Sequence, residues 1–224
     1  MSLLSNAGVL LGKELRTEFR SRELLTTTVV FILVVMVLFS FTFDPTSSES
    51  RRFAPGLLWL AFLFAASLML QPCFLREQNN DTLSALRLSI QDPFAIFLAK
   101  LAANTLFLLF TQAVLLPVFA ILYNVAVAGV FPQLMLVMLM GSLGLSVTGT
   151  ALSAISAQAR MRELLLPLLL LPLLTPVLIA STEATAALLD PKPELRWDWL
   201  GFLLAFDVVF LVALWLFGEY LLEE

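Results

Sequence analysis

Six runs of about twenty apolar residues decide what this chain can fold into, because a hydrocarbon core about 30 Å thick needs roughly that many residues at a helical rise of about 1.5 Å. They occupy residues 24–43, 54–73, 101–123, 132–155, 164–181 and 199–221. Hydrophobic residues make up 60% of the 224 positions and charged residues 13%, with a mean hydropathy of +0.95, outside the range of water-soluble chains. Lipid cannot satisfy stray backbone groups, and these Leu-rich runs lack the alternation of barrel strands, so each run is expected to be a helix. The expected fold class is an all-α polytopic membrane protein with residues 1–224 forming a single membrane domain. No linker rich in Gly, Ser or Pro sets a soluble module apart.

Orientation follows from the basic residues in the short loops. Lys13, Arg16, Arg20 and Arg22 precede the first span; Arg76, Arg87 and Lys100 lie between the second and third; Arg160 and Arg162 lie between the fourth and fifth. The opposite side has Arg51, Arg52, Lys192 and Arg196. This excess puts both termini in the cytoplasm of a multi-pass protein. The mixed-charge stretch KELRTEFRSRE ahead of the first run, with no small-residue cleavage site after it, leads to the expectation that the first span is retained.

Two polar segments border the spans. Within residues 1–23, Leu11, Leu15 and Phe19 repeat every four residues while Lys13, Arg16 and Arg20 take other faces, the pattern of an interfacial elbow helix. The loop of residues 76–100 carries Arg76, Glu77, Asp81, Leu83, Leu86 and Arg87, with Ile90 extending the apolar spacing and Pro93 ending it. It is expected to hold a short amphipathic helix that passes displacement to its flanking spans.

Reactive chemistry is scarce. Histidine is absent, which excludes His-ligated zinc or haem and His-based nucleophilic catalysis, and no Walker-type glycine loop is present. No catalytic, cofactor-binding or metal site is expected, and ATP hydrolysis would belong to another chain. Among polar residues in or near spans, Asn104, Gln112 and Asp207 stand inside and Glu183 just past the fifth, at the outer interface. Asp207, about two turns from the outer end of its helix, suits a packing role or a proton or substrate path. Cys73 reads as an apolar filler. Ser142, Ser146, Thr150 and Ala154 form one row of the fourth span, and Gly149, Ser153 and Ala157 another, fitting close packing within the chain or a dimer seam. Pro167, Pro172 and Pro176 should kink or break the fifth span.

The sequence resembles the CcmB family, membrane subunits of the cytochrome c maturation ABC transporter, also called the haem exporter. The resemblance covers almost the whole chain and rests on KELRTEFRSRE, FAPGLLWLAFLFAASLML, FLREQNNDTLSALRLSIQDPFAIFLAK and GTALSAISAQARMRELLLPLLLLPLLTPVLIA. It implies an ABC-2 type permease in the bacterial inner membrane, present in two copies, whose residues 76–100 are a coupling loop for a CcmA-like cytosolic ATPase. It further implies CcmC-like and CcmD-like membrane subunits and a CcmE-like haem chaperone, with ATP bound by the partner and haem handled by the complex. Membrane lipid surrounds the chain, and no nucleic acid partner is expected. Two other readings stay open: an ABC-2 exporter of lipid, glycan or drug, and a membrane scaffold without transport.

Overall fold

A computed structural model of the chain describes residues 3–42, 48–79, 94–157 and 162–223, and the described residues are helical with no strands. The helices are α1 (Leu3–Ser21), α2 (Glu23–Thr42), α3 (Ser48–Leu70), α4 (Pro72–Asn79), α5 (Phe94–Leu122), α6 (Phe131–Ala157), α7 (Arg162–Leu189) and α8 (Trp197–Glu223), with a 3₁₀ turn at Ala128–Val130 leading into α6. Six of them include stretches long and apolar enough to cross a membrane: Glu23–Thr42, Arg52–Leu75, Phe94–Leu122, Ala128–Ala157, Leu166–Leu189 and Trp197–Gly218. The chain is a multi-pass membrane protein.

Several boundaries differ from the sequence expectation. The third span begins at Phe94, inside what reads as loop, because the apolar run FAIFLA continues the helix through Lys100 once that side chain has partners. The fifth continues to Leu189, so Glu183 lies within a helix and not beyond it. Asp207 falls at the middle of the sixth span, Trp197–Gly218, farther from water than the sequence suggests. α7 runs unbroken across Pro167, Pro172 and Pro176, which excludes a break.

α6 is the hub of the bundle, packing on α3, α4, α5, α7 and α8. Its small residues allow this. Ser142, Ser146, Thr150, Ser153, Ala154 and Gly149 are all buried inside the single chain. A Cβ placed on Gly149 would stand 2.1 Å from Leu70 Cδ1, and one on Gly141 would stand 2.2 Å from the Trp59 ring. These rows are therefore occupied by α3 and its neighbours and offer no open surface to a second copy. The outer faces of α2, α7 and α8 carry exposed Val, Leu and Phe side chains, such as Leu38, Leu168 and Val209, as lipid-facing helices do.

α1 ends through Arg22, whose φ of 55° lies in the left-handed region and whose N–H donates to the Glu18 carbonyl at 2.7 Å. This closes α1 and turns the chain into α2. Any L residue meets a steric cost of about 1–2 kcal/mol there and a β-branched one more, whereas glycine avoids it but loses more backbone freedom on folding. Arg22→Val is expected to lower the melting temperature of the purified protein and Arg22→Gly to leave it unchanged; equal melting of the two variants would contradict this account of the turn.

Candidate functional site

The break between α3 and α4 exposes backbone carbonyls that the rest of the chain must satisfy. Pro72 has no N–H to continue α3, so the chain turns at Gln71 and restarts as α4. Ser153 Oγ on α6 donates to the Leu70 carbonyl at 2.8 Å. Lys100 Nζ on α5 donates to the Cys73 carbonyl. Asn104 Nδ2, one turn further along α5, donates to Cys73 Sγ at 3.3 Å and to Thr150 Oγ1 on α6 at 3.0 Å. Cys73 is therefore a hydrogen-bonding node and not an apolar filler. Its local sequence gives no hint of this because both donors are about thirty residues away.

Lys100 is only 3% exposed, and a carboxylate, a carbonyl and an aromatic ring meet its charge. Glu14 Oε1 of α1 lies 3.4 Å from Nζ, the Cys73 carbonyl accepts from it, and the Phe74 ring centroid is 4.9 Å away. A buried ammonium without such partners would be strongly unfavourable. Glu14 also meets Lys13 at 3.4 Å near the surface. One turn on, Glu18 is 1% exposed, and its carboxylate accepts the Leu25 N–H at 3.1 Å in the first turn of α2. That contact places negative charge at a helix N-terminus, where unpaired N–H groups and the helix dipole favour it. Glu14, Glu18, Lys100, Asn104 and Cys73 border a cavity of about 30 Å³.

The result is a polar knot joining α1, α2, α4, α5 and α6 at one end of the bundle. It lies where the 80–93 segment leaves α4 and re-enters α5. Arg76 and Glu77 fall on α4 just after Cys73, while Asp81, Leu83, Leu86 and Arg87 lie outside the described residues. Arg16 and Arg20 sit exposed on α1, and Lys13 meets the knot through Glu14. Of the packing residues, Thr150 and Ser153 bond into the knot; Ser146 and Gly149 pack on the same helix. Pro167, Pro172 and Pro176 lie elsewhere on α7, Pro167 and Pro172 exposed and Pro176 half-buried. Glu14, Glu18 and Lys100 are functional candidates that sequence reasoning missed. The available signal was a lysine four residues before an asparagine at the start of an apolar run, a costly pair to bury without partners.

No group of three or more potential metal ligands exists among the described residues. Asp207, 6% exposed, packs against α6 at mid-span, its Oδ1 2.9 Å from where a Cβ on Gly144 would stand. Among the described residues neither of its oxygens has a hydrogen-bond partner.

Comparison with known proteins bears on all of this. The family described as CcmB protein matches residues 6–218. The chain is similar to heme exporter protein B of Pseudomonas aeruginosa, 33% identical over 83% of each chain. It is likewise similar to heme exporter protein B of Paracoccus denitrificans, 32% identical over 83% of this chain and 86% of that one. A third relative, from Haemophilus influenzae, is 30% identical over 80% of each. With a match spanning nearly its full length, the chain belongs to the CcmB protein family.

Proposed function

We propose that this chain is the permease subunit of an ABC-2 type transporter serving haem export in cytochrome c maturation, and that it converts ATP-driven motion of a partner into movement of its spans. The observation that carries the reading is the knot around Lys100, which ties α4 and α5, the helices on either side of residues 80–93, to each other and to α1. A rigid pair of loop ends cannot be displaced singly. A push on the loop is delivered at once to α5 through Lys100, to α1 through Glu14, and to α6 through Asn104–Thr150 and Ser153–Leu70.

In this reading residues 1–23 form the elbow helix, residues 76–100 are the coupling loop, and the whole chain is one membrane domain without catalytic residues. ATP binds a CcmA-like cytosolic subunit. Two copies of the chain work with CcmC-like and CcmD-like subunits in a bacterial inner membrane, with both termini cytoplasmic. Haem is the cargo of the complex, passed to a CcmE-like chaperone, and is not a resident cofactor of this chain. Pro167, Pro172 and Pro176 let α7 bend during the motion, since each removes one backbone hydrogen bond.

The test is reconstitution with the ATPase subunit. Co-purification and ATP turnover stimulated by this chain are expected. Charge reversal by Glu77→Lys with Asp81→Lys should reduce that stimulation by about tenfold while leaving membrane insertion intact. Undiminished stimulation in the double variant would sink the coupling role.

A further inference from the structure

At the opposite end of the bundle from α1, a groove of about 320 Å³ opens between α3 and α7, bordered by Gly56, Trp59, Leu60, Ile179, Thr182 and Glu183. Its volume falls in the range of small-ligand sites. Its position is unusual for its charge. Glu183 is exposed, yet it lies six residues before the end of the Leu166–Leu189 span, about 9 Å along the helix axis. Charged groups at such depth take a partner.

The nearby cation is already engaged. Arg196 donates through Nε to Asp198 Oδ1 at 3.0 Å and through Nη2 to Oδ2 at 2.6 Å, a two-point pairing. Among the described residues Glu183 forms no ion pair. On the facing helix, Arg52 is exposed one turn before Gly56, on the same side of α3. The groove thus has an apolar body and, on one wall, a carboxylate with no ion pair among the described residues, while Arg52 follows the same side of the facing helix one turn away from Gly56. Its floor is fixed by Trp59, whose Nε1 donates to Thr185 Oγ1 at 2.9 Å.

We propose that this groove binds a zwitterionic phospholipid with a primary ammonium headgroup, of the phosphatidylethanolamine type. One acyl chain lies along Leu60, Leu178 and Ile179, the ammonium meets Glu183, and the phosphate lies toward Arg52. Charge complementarity selects this occupant over an anionic lipid, whose phosphodiester has no positive group to offer Glu183. The groove faces the lipid phase, so the lipid enters from the side without any opening of the bundle.

The test uses the full-length chain in nanodiscs containing equal parts of phosphatidylethanolamine and phosphatidylglycerol, followed by native mass spectrometry of retained lipid. Wild type should retain phosphatidylethanolamine preferentially. Glu183→Gln should lower that preference about fivefold. Gly56→Leu provides the second arm, because a Cβ there meets nothing nearer than Thr182 Cγ2 at 3.8 Å, which leaves a side chain room to enter the groove. It should abolish retention while melting like wild type. Equal retention of both lipids by wild type and Glu183→Gln overturns the proposal. Recovery of a polypeptide cross-linked at position 183, in place of lipid, overturns it in favour of a protein partner.

Discussion

Lys100→Met is expected to destabilise the purified protein by about 3 kcal/mol, a drop in melting temperature on the order of 10 °C. The side chain is nearly fully buried, and methionine fills similar space, so packing changes little. What changes is electrostatic. Glu14 loses its inner partner, and the Cys73 carbonyl at the α3–α4 break loses its donor. A largely buried carboxylate that keeps the surface-exposed Lys13 but loses its inner cation is under-compensated, and this costs more than the pair contributes when intact, which is why the single variant suffers most. Adding Glu14→Gln should restore part of the loss by removing the charge that has lost its inner partner. Thermal unfolding of the two single variants and the double variant in detergent gives the cycle. Additive losses would show that the two residues act independently, and the knot would then not be a unit. The same variants also separate stability from coupling: ATP-turnover stimulation should fall in Lys100→Met even at temperatures where the variant remains folded.

Gly141→Ala is expected to be more damaging than its size suggests, at about 3 kcal/mol, the upper end of the usual cost of overpacking. The added methyl would stand 2.2 Å and 2.5 Å from two ring atoms of Trp59 and 2.9 Å from Ser181 Oγ. The indole cannot swing away, because it is fully buried and held by Thr185. Gly149→Ala makes an equally close approach, but to the tip of Leu70, whose Cδ atoms can rotate, so its cost should be nearer to about 1 kcal/mol. The ordering of the two alanine variants is the informative result, read from melting temperature and from the monodisperse fraction on size exclusion. Trp59→Phe in the Gly141→Ala background should recover most of the loss, since it removes the ring atoms in conflict. Equal behaviour of the two glycine variants would mean that α3 and α6 are not packed as described.

The two predictions meet on the same hub helix, which takes a hydrogen bond from Asn104, one turn from Lys100, and carries both glycines. α6 can touch five other helices because its glycines and hydroxyl residues keep its surface flat. Thr150 and Ser153 use that closeness to reach polar groups of α5 and α3, while Gly141 and Gly144 use it to admit Trp59 and Asp207. The elements that the proposed coupling would move, α1, α4 and the start of α5, are bonded to each other and to α6 at the end of the bundle that holds the knot. The Trp59–Thr185 contact between α3 and α7 lies toward the other.

Helix number and type were legible in the sequence because hydrocarbon thickness and the need to satisfy every backbone group leave few options to an apolar run of twenty residues. The amphipathic character of α1 was legible for a similar local reason, as its apolar residues recur at helical spacing. The small-residue rows of α6 also stood out, but a row of serines and glycines reads the same whether it faces a neighbour in the chain or a second copy. Only the fold placed α3 against Gly149 and so decided between them. The knot was hidden for a different reason. In sequence Lys100 reads as a loop cation, Asn104 as a polar residue inside a span and Cys73 as an apolar filler, and the interactions that accommodate them join positions 14, 73, 100, 104 and 150, which no local pattern connects. Sequence determined how many times the chain crosses the membrane, since that depends on transfer of each segment alone; tertiary structure decided which buried charges have partners, since pairing depends on which segments meet.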